Sequence, residues 1–255
     1  MTQTERRKYL ISALLNEKPQ CREIEIPAGE REQKILLRSL FNVRMPMHVT
    51  DEFLFVQDSY LQEEIRKKGI TSIENLKPIQ SGIYLWKGDI TTLKCDGIVN
   101  AANRHMLGCF CPNHGCIDNA IHTFAGVQLR AVCAELMRKQ ACEEQTGSAK
   151  ITPAFNLPCK YILHTVGPIV RATFTSRDCE MLKSCYRSCL ELAEYNQLQS
   201  ISFCCISTGE FHFPNDKAAE IAVETVTDYK KHSEIEVIFN VFKSEDYNIY
   251  RKLLG

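Results

Sequence analysis

The hydrophobic pattern of the chain changes period near residue 80. Before it, apolar positions recur at helical spacing: Tyr9, Leu10, Ala13 and Leu14; Ile35, Leu36, Leu40 and Phe41; and Phe53, Val56, Tyr60 and Leu61, the last four expected to face inward. Pro19, Pro27, Pro46 and Pro78 punctuate this stretch, and a turn in IEIPAGEREQ leads into a helix that starts near Glu30. Residues 1–80 therefore read as a mainly helical extension, a packing cap or partner surface rather than a catalytic unit. From Gly82 onward, short apolar runs alternate with longer amphipathic stretches. IYLWKGD, DGIVNAAN, KYILHTVGP, SISFCCIST and EVIFNVF read as buried strands, whereas 118–138, 177–196, 215–230 and 244–254 read as helices. Such alternation predicts a three-layer α/β domain over residues 81–255, with ligands received where strand ends enter helices.

Composition narrows the class without fixing it. The 255 residues are 44% hydrophobic and 24% charged, as in an ordinary globular protein. Thirty-one basic residues balance 31 acidic ones, so nothing points to general attraction to nucleic acid or to an anionic membrane, and any phosphate recognition must be local. The 13 cysteines are odd in number and scattered through expected helices and strands, unlike a small secreted disulfide scaffold. A reducing cytoplasm suits them better. No apolar run reaches the length of a membrane span, and the opening MTQTERRKYLISALLNEK reads as a helix, not a signal.

The densest chemistry lies in CFCPNHGCIDNAIH, residues 109–122, preceded by Asn100, Ala101, Ala102 and Asn103. Cys109, His114 and Cys116 are spaced so that a loop can fold two sulfurs and one nitrogen onto a Zn²⁺ ion. Three protein ligands leave one position open, the mark of a catalytic rather than a structural zinc. Cys111 offers a competing set with His114 and Cys116, although Pro112 holds its backbone extended. Asp118 opens the following helix, where it can act on a reacting group or cap the helix, or do both. His122 and His164 are expected to be hydrogen-bonded structural histidines.

Two further strand ends carry polar loops. In KGDIT, Asp89 can accept from the exocyclic amine of a base or simply close a turn. In STGEFHFPND, Ser207, Thr208 and Gly209 permit close backbone approach to a diphosphate, and Pro214, Asn215 and Asp216 mark a helix start. Helix N-termini with unpaired backbone N–H groups are one way an uncharged protein holds phosphate.

Taken in order, KGDIT, IVNAAN, CIDNAIHTFAG, LPCKYILHTVGP and STGEFHFP resemble the macrodomain family, the ADP-ribose-binding fold. Ordinary hydrolytic members carry a glycine run before the aspartate of the first ligand loop. Here NHGC, preceded by Cys109, takes that place, which resembles the zinc-dependent macrodomain class, as do LRSLFNVRMP and QDSYLQEE in the helical extension. The resemblance implies a mixed central sheet sandwiched by helices and the removal of ADP-ribose from modified protein side chains. It places Asp89, the backbone of Ile90 and Phe242 at the adenine. Ser207, Thr208, Gly209, Glu210 and Phe211 would wrap the diphosphate and distal ribose with Ile117 and Asp118, while Cys109, His114 and Cys116 hold zinc beside that ribose and Asn103 meets its hydroxyls. Implied partners are mono-ADP-ribosylated protein, a sirtuin-type ADP-ribosyltransferase and a lipoylated carrier protein. The expected reaction is hydrolysis of an ester on Asp or Glu, with Asn103 and Asp118 as catalytic residues; the alternative is a non-catalytic ADP-ribose reader with a structural zinc.

Overall fold

A computed structural model describes residues 1–17 and 23–255; Pro19 lies outside the described residues. The chain opens with helix α1 (Gln3–Asn16), which Thr2 and Glu5 start with reciprocal caps. Helices α2 (Glu30–Val43) and α3 (Asp51–Lys68) follow. Leu10, Leu14, Leu37, Phe41, Phe53, Val56 and Tyr60 form one apolar core among these three helices, on the expected spacing, although Ile35 is exposed.

Strand β1 (Thr71–Ser72) pairs in parallel with β4 (Leu93–Lys94) as a small separate sheet. The main sheet has seven strands: β2 (Pro78–Gln80), β3 (Ile83–Lys87), β5 (Gly97–Ala101), β6 (Ala149–Pro153), β7 (Tyr161–Thr165), β8 (Ser200–Phe203) and β9 (Glu236–Val241). Their order is β2-β3-β9-β8-β5-β7-β6. The inner five are parallel and both edges antiparallel, so the sheet is mixed. Its outermost strand, β2, precedes residue 81, and neither edge strand is visible in the apolar pattern: β2 is short and starts at a proline, and β6, AKITP, has only one fully buried residue.

Helices α4 (Ile117–Ala125) and α5 (Val127–Gln140) connect β5 to the β6–β7 hairpin. Helix α6 (Ser176–Tyr195) connects β7 to β8, α7 (Asn215–Lys230) connects β8 to β9, and α8 (Ser244–Leu254) ends the chain. The α6 and α7 crossovers step one way across the sheet and the α4–α5 connection steps the other. Right-handed crossovers therefore place the two sets on opposite faces. Helix α8 packs on α7, and α3 reaches α4 and the turn after β3. This is the expected three-layer arrangement.

The expected single helix over 118–138 is a correction. Gly126 breaks it with φ 101, a conformation in which a side chain would run into Gln57 and Gln128, and the Val127 N–H donates to Gln57 Oε1 at 3.0 Å. The break turns α5 so that Val127 enters the N-terminal helical core while Ile65 of α3 joins the core of the sheet.

Candidate functional site

The parallel strands all end on one side, and the polar loops leave from those ends. After β5, Asn103 is held on three sides: its Nδ2 donates to the Gly108 carbonyl (3.2 Å) and to Asp118 Oδ2 (3.4 Å), and its Oδ1 accepts from the His105 N–H (3.0 Å). Gly108 adopts φ 79 with the His122 ring against it, leaving no room for a Cβ, so the loop must turn there. Beyond that turn, Cys109, His114 and Cys116 bring their ligand atoms within 4.8 Å of one another.

This donor set fits a zinc ion. Tetrahedral bonds of about 2.3 Å to sulfur and about 2.0 Å to nitrogen give an S···N edge of roughly 3.5 Å. Cys109 Sγ lies 3.6 Å from His114 Nδ1. The other ring nitrogen, Nε2, lies 3.3 Å from Glu210 Oε1, so a proton held there leaves Nδ1 free to ligate. Cys116 caps α4, its sulfur accepting from the Asn119 N–H at 3.4 Å. Burial first, and Cys109 beside it, push the Cys116 thiol up to about 12, so the thiol stays protonated until a cation draws the proton off. Between the two competing ligand sets the geometry selects Cys109; Cys111 is exposed and outside the group.

Asp118 is 5% exposed. Burial raises its pKa to about 6 against the opposing pull of Asn100, which donates to Oδ1 at 2.8 Å, and of Arg130 and Asn103. His164 is hydrogen-bonded as expected, to Asn100 (3.2 Å) and Thr152 (2.9 Å). His122 is not: both its nitrogens lack a hydrogen-bond partner among the described residues, and Nε2 stands 3.6 Å from Asp118 Oδ1. Burial holds both imidazoles neutral by lowering their pKa, to about 3 for His164. His122 and His164 also approach Cys133 within 4.8 Å, but this second group is sealed in the core with both His164 nitrogens engaged.

After β8, Ser207 takes φ 66 and keeps a buried Oγ without a partner among the described residues. Strain and an unpaired hydroxyl together suit a group that awaits a ligand. Thr208 Oγ1 donates to the Cys205 carbonyl (3.0 Å), and the Phe211 carbonyl accepts from the Val170 N–H (2.8 Å), which shapes the loop. A Cβ on Gly209 would meet nothing within 4 Å, so that face of the loop is open. Through Glu210 and His114, this loop meets the cysteine loop.

The remaining expected residues lie at the neighbouring ends of β3 and β9. Asp89 follows β3 and Phe242 follows β9, where the Gly88 N–H donates to the Val241 carbonyl at 3.0 Å. Asp89 Oδ1 accepts from the Thr91 N–H (3.0 Å), and Oδ2 pairs with Lys68 Nζ (2.9 Å). Burial alone would raise the Asp89 pKa, but Lys68 and Thr91 outweigh it and lower it. Ile90 is buried and its carbonyl accepts from the Leu93 N–H, while Phe242 is 75% exposed. Ile117 is half-buried at the start of α4.

Four contributors escape a sequence reading. Arg38 of α2 donates to the His114 carbonyl (3.0 Å) and to Asn119 Oδ1 (2.8 Å). Asn42, one turn on, accepts from the Asn113 N–H at 2.9 Å. Arg130 of α5 donates to the carbonyls of Leu107 (2.6 Å), Phe41 (3.1 Å), Asn42 (2.9 Å) and Arg44, and lies over the Phe110 ring. Lys68 holds Asp89. The cysteine loop is thus gripped by the helical extension.

A seven-stranded mixed sheet with helices on both faces and ligand loops at its strand ends defines the macro domain, and residues 99–222 match that family. The chain belongs to it. A protein-ADP-ribose hydrolase of Treponema medium is 59% identical over 261 residues, covering 100% of both chains. A probable bifunctional ADP-ribose hydrolase/ADP-ribosyltransferase of Fusarium oxysporum is 42% identical over 86% of this chain and 40% of its own length. Among solved structures, the Trypanosoma brucei macrodomain in complex with ADP-ribose is 30% identical, with a TM-score of 0.67 over 86% of this chain and 95% of that one. The Oceanobacillus iheyensis macrodomain with ADP is 37% identical, with a TM-score of 0.64 over 70% and 93%.

Proposed function

We propose that the chain is a zinc-dependent hydrolase that removes mono-ADP-ribose from modified protein side chains, with esters on Asp or Glu as its preferred linkage. The observation that carries this reading is the convergence of Cys109, His114 and Cys116 beside the Asn103–Asp118 pair, against the loop that bears Ser207 and Glu210. The hydrolase named in Treponema medium and the ADP-ribose bound by the Trypanosoma brucei macrodomain support the substrate class.

In this reading Asp89, Ile90 and Phe242 take the adenine end. Ser207, Thr208, Gly209, Glu210 and Phe211 wrap the diphosphate and distal ribose with Ile117. A zinc ion held by Cys109, His114 and Cys116 would supply Lewis-acid polarisation of an oxygen at the distal ribose. Asn103, fixed by Gly108 and Asp118, holds a ribose hydroxyl. Water attacks the anomeric carbon of the distal ribose, the bond from that carbon to the side-chain oxygen breaks, and Asp118 orients the water and receives its proton. The side chain leaves as a carboxylate with the bonding electron pair, ADP-ribose is the other product, and Asp118 then passes its proton to solvent. Residues 1–80 act as an extension that braces the cysteine loop, and residues 81–255 bind and cleave.

The Fusarium oxysporum name, which couples the two activities, supports an ADP-ribosyltransferase as functional partner; a sirtuin-type transferase and a lipoylated carrier protein are the partners proposed. Cytoplasm is the proposed compartment, supported by free thiols such as Cys133, Cys185 and Cys189 buried in the core. No helix among the described residues is long and apolar enough to cross a membrane.

The test follows release of ADP-ribose from Asp/Glu-modified and arginine-modified proteins by zinc-loaded and chelated enzyme. Release from the acidic linkage alone, dependent on zinc and lost in Cys116→Ala and His114→Ala while ADP-ribose still binds, is expected. Full turnover by a folded, metal-free variant contradicts the metal's role, and release from neither substrate with intact binding makes the chain a reader.

A further inference from the structure

Between α2, α3 and α4, outside the strand-end cleft, lies a cavity of about 390 Å³. That volume falls among those of ligand pockets. Its floor is apolar, made by Leu37, Phe41 and Leu61 with the Phe124 ring, over which the Lys68 ammonium lies at 3.4 Å. Four cations line it, Lys34, Arg38, Lys67 and Lys68, against one acid, Glu64. Counting the Glu30 and Asp89 carboxylates that pair with Lys34 and Lys68, the wall keeps one positive charge in excess.

Two of the four cations already have close carboxylates. Lys34 pairs with Glu30 (3.0 Å) and Glu64 (2.8 Å), and Lys68 with Asp89 (2.9 Å). The other two are less satisfied. Arg38 donates to uncharged acceptors, the His114 carbonyl and the Asn119 amide, and Lys67 stands 3.8 Å from Glu64 with its side chain 52% exposed. An arriving carboxylate thus meets the half-exposed Lys67 ammonium and the Nη1 of Arg38, whose Nε and Nη2 stay on Asn119 and the His114 carbonyl, above an apolar floor. The same residues tie the cavity to the cleft: Arg38 touches the cysteine loop, and Lys68 holds Asp89 at the opposite end.

We propose that this cavity docks an acidic, amphipathic segment of the modified protein, with an apolar side chain on its floor and a flanking carboxylate against Arg38 and Lys67. The proposal rests on the hydrolase reading and adds what the cleft lacks. Contacts to ADP-ribose are the same on every modified protein, so recognition of the polypeptide requires a second surface beside the scissile bond.

Lys67→Glu reverses a half-exposed charge outside the cleft, and Lys67→Arg restores it. With Asp/Glu-modified protein as substrate, Lys67→Glu should raise KM about threefold or more at unchanged kcat, and Lys67→Arg should return it. With ADP-ribose esterified to a simple carboxylic acid, KM should not change, and unaltered affinity for free ADP-ribose shows that the variant is folded. Separately, an unmodified Asp/Glu-rich peptide carrying a leucine should bind the wild type by fluorescence anisotropy, weaken with salt and fail on Lys67→Glu. Equal KM changes for both substrates, no change for either, or weakened binding of free ADP-ribose overturns the proposal. If neither ester is hydrolysed, the hydrolase reading fails, while the peptide measurement still decides the cavity.

Discussion

Asp118 is a carboxyl kept from water at the start of a helix, beside two thiols, and its environment sets how the protein responds to pH. Burial raises its pKa to about 6 from an ordinary 3.8 despite the Asn100, Arg130 and Asn103 groups that favour its charge. A carboxyl whose folded pKa is raised binds its proton more tightly in the folded than in the unfolded state. Its stabilising effect is therefore complete below about pH 4 and is lost as pH rises through about 6. At about 1.4 kcal/mol per pH unit, metal-free wild type should lose up to about 3 kcal/mol relative to Asp118→Asn between pH 4 and pH 7. Urea unfolding of both proteins across that range measures it, and parallel stability curves would refute the assignment. The clustering of Cys109, His114 and Cys116 beside Asp118 was legible in the sequence because all four lie in one short run, Cys109 to Asp118. Arg38, Asn42, Lys68 and Arg130 escaped because nothing in their local pattern distinguishes a cation or amide that grips a distant loop from one that faces solvent.

At the level of elements, legibility followed burial. Helices α7 and α8 fall at the bounds that their amphipathic patterns indicate, and the five inner strands lie within the apolar runs. The edge strands β2 and β6 and the break at Gly126 did not show, because edge strands need little apolar surface and one glycine within an amphipathic run does not by itself end a helix. That break matters because α5 carries Arg130 to the last carbonyls of α2. Arg130 is 5% exposed and satisfies main-chain oxygens at Leu107, Phe41, Asn42 and Arg44. Removing it leaves several of these buried acceptors unpaired, so Arg130→Ala should cost about 3 kcal/mol or more by denaturant midpoint. Lysine should rescue little, since one ammonium cannot reproduce the planar fork. A loss below about 0.5 kcal/mol, the range of ordinary surface changes, would show that the contacts do not fasten α2 to the loop.

The whole molecule combines two apolar cores at a seam where α3 lends Ile65 to the sheet and α5 lends Val127 to the helices. The cysteine loop sits at this seam, with α2 on one side through Arg38 and Asn42 and the Ser207–Phe211 loop on the other through Glu210. A loop braced from both sides holds its donor atoms near ligating distance before any ion arrives, which lowers the ordering cost of binding one. On the proposed function, this trio is a two-thiolate, one-imidazole zinc centre with a fourth position for a light ligand. Zinc-edge X-ray absorption on the purified protein reads the donor set itself, and two sulfurs at about 2.3 Å with two nitrogen or oxygen scatterers at about 2.0 Å are expected. A first shell with no sulfur, or with four protein ligands and no light atom beyond the imidazole, would contradict it.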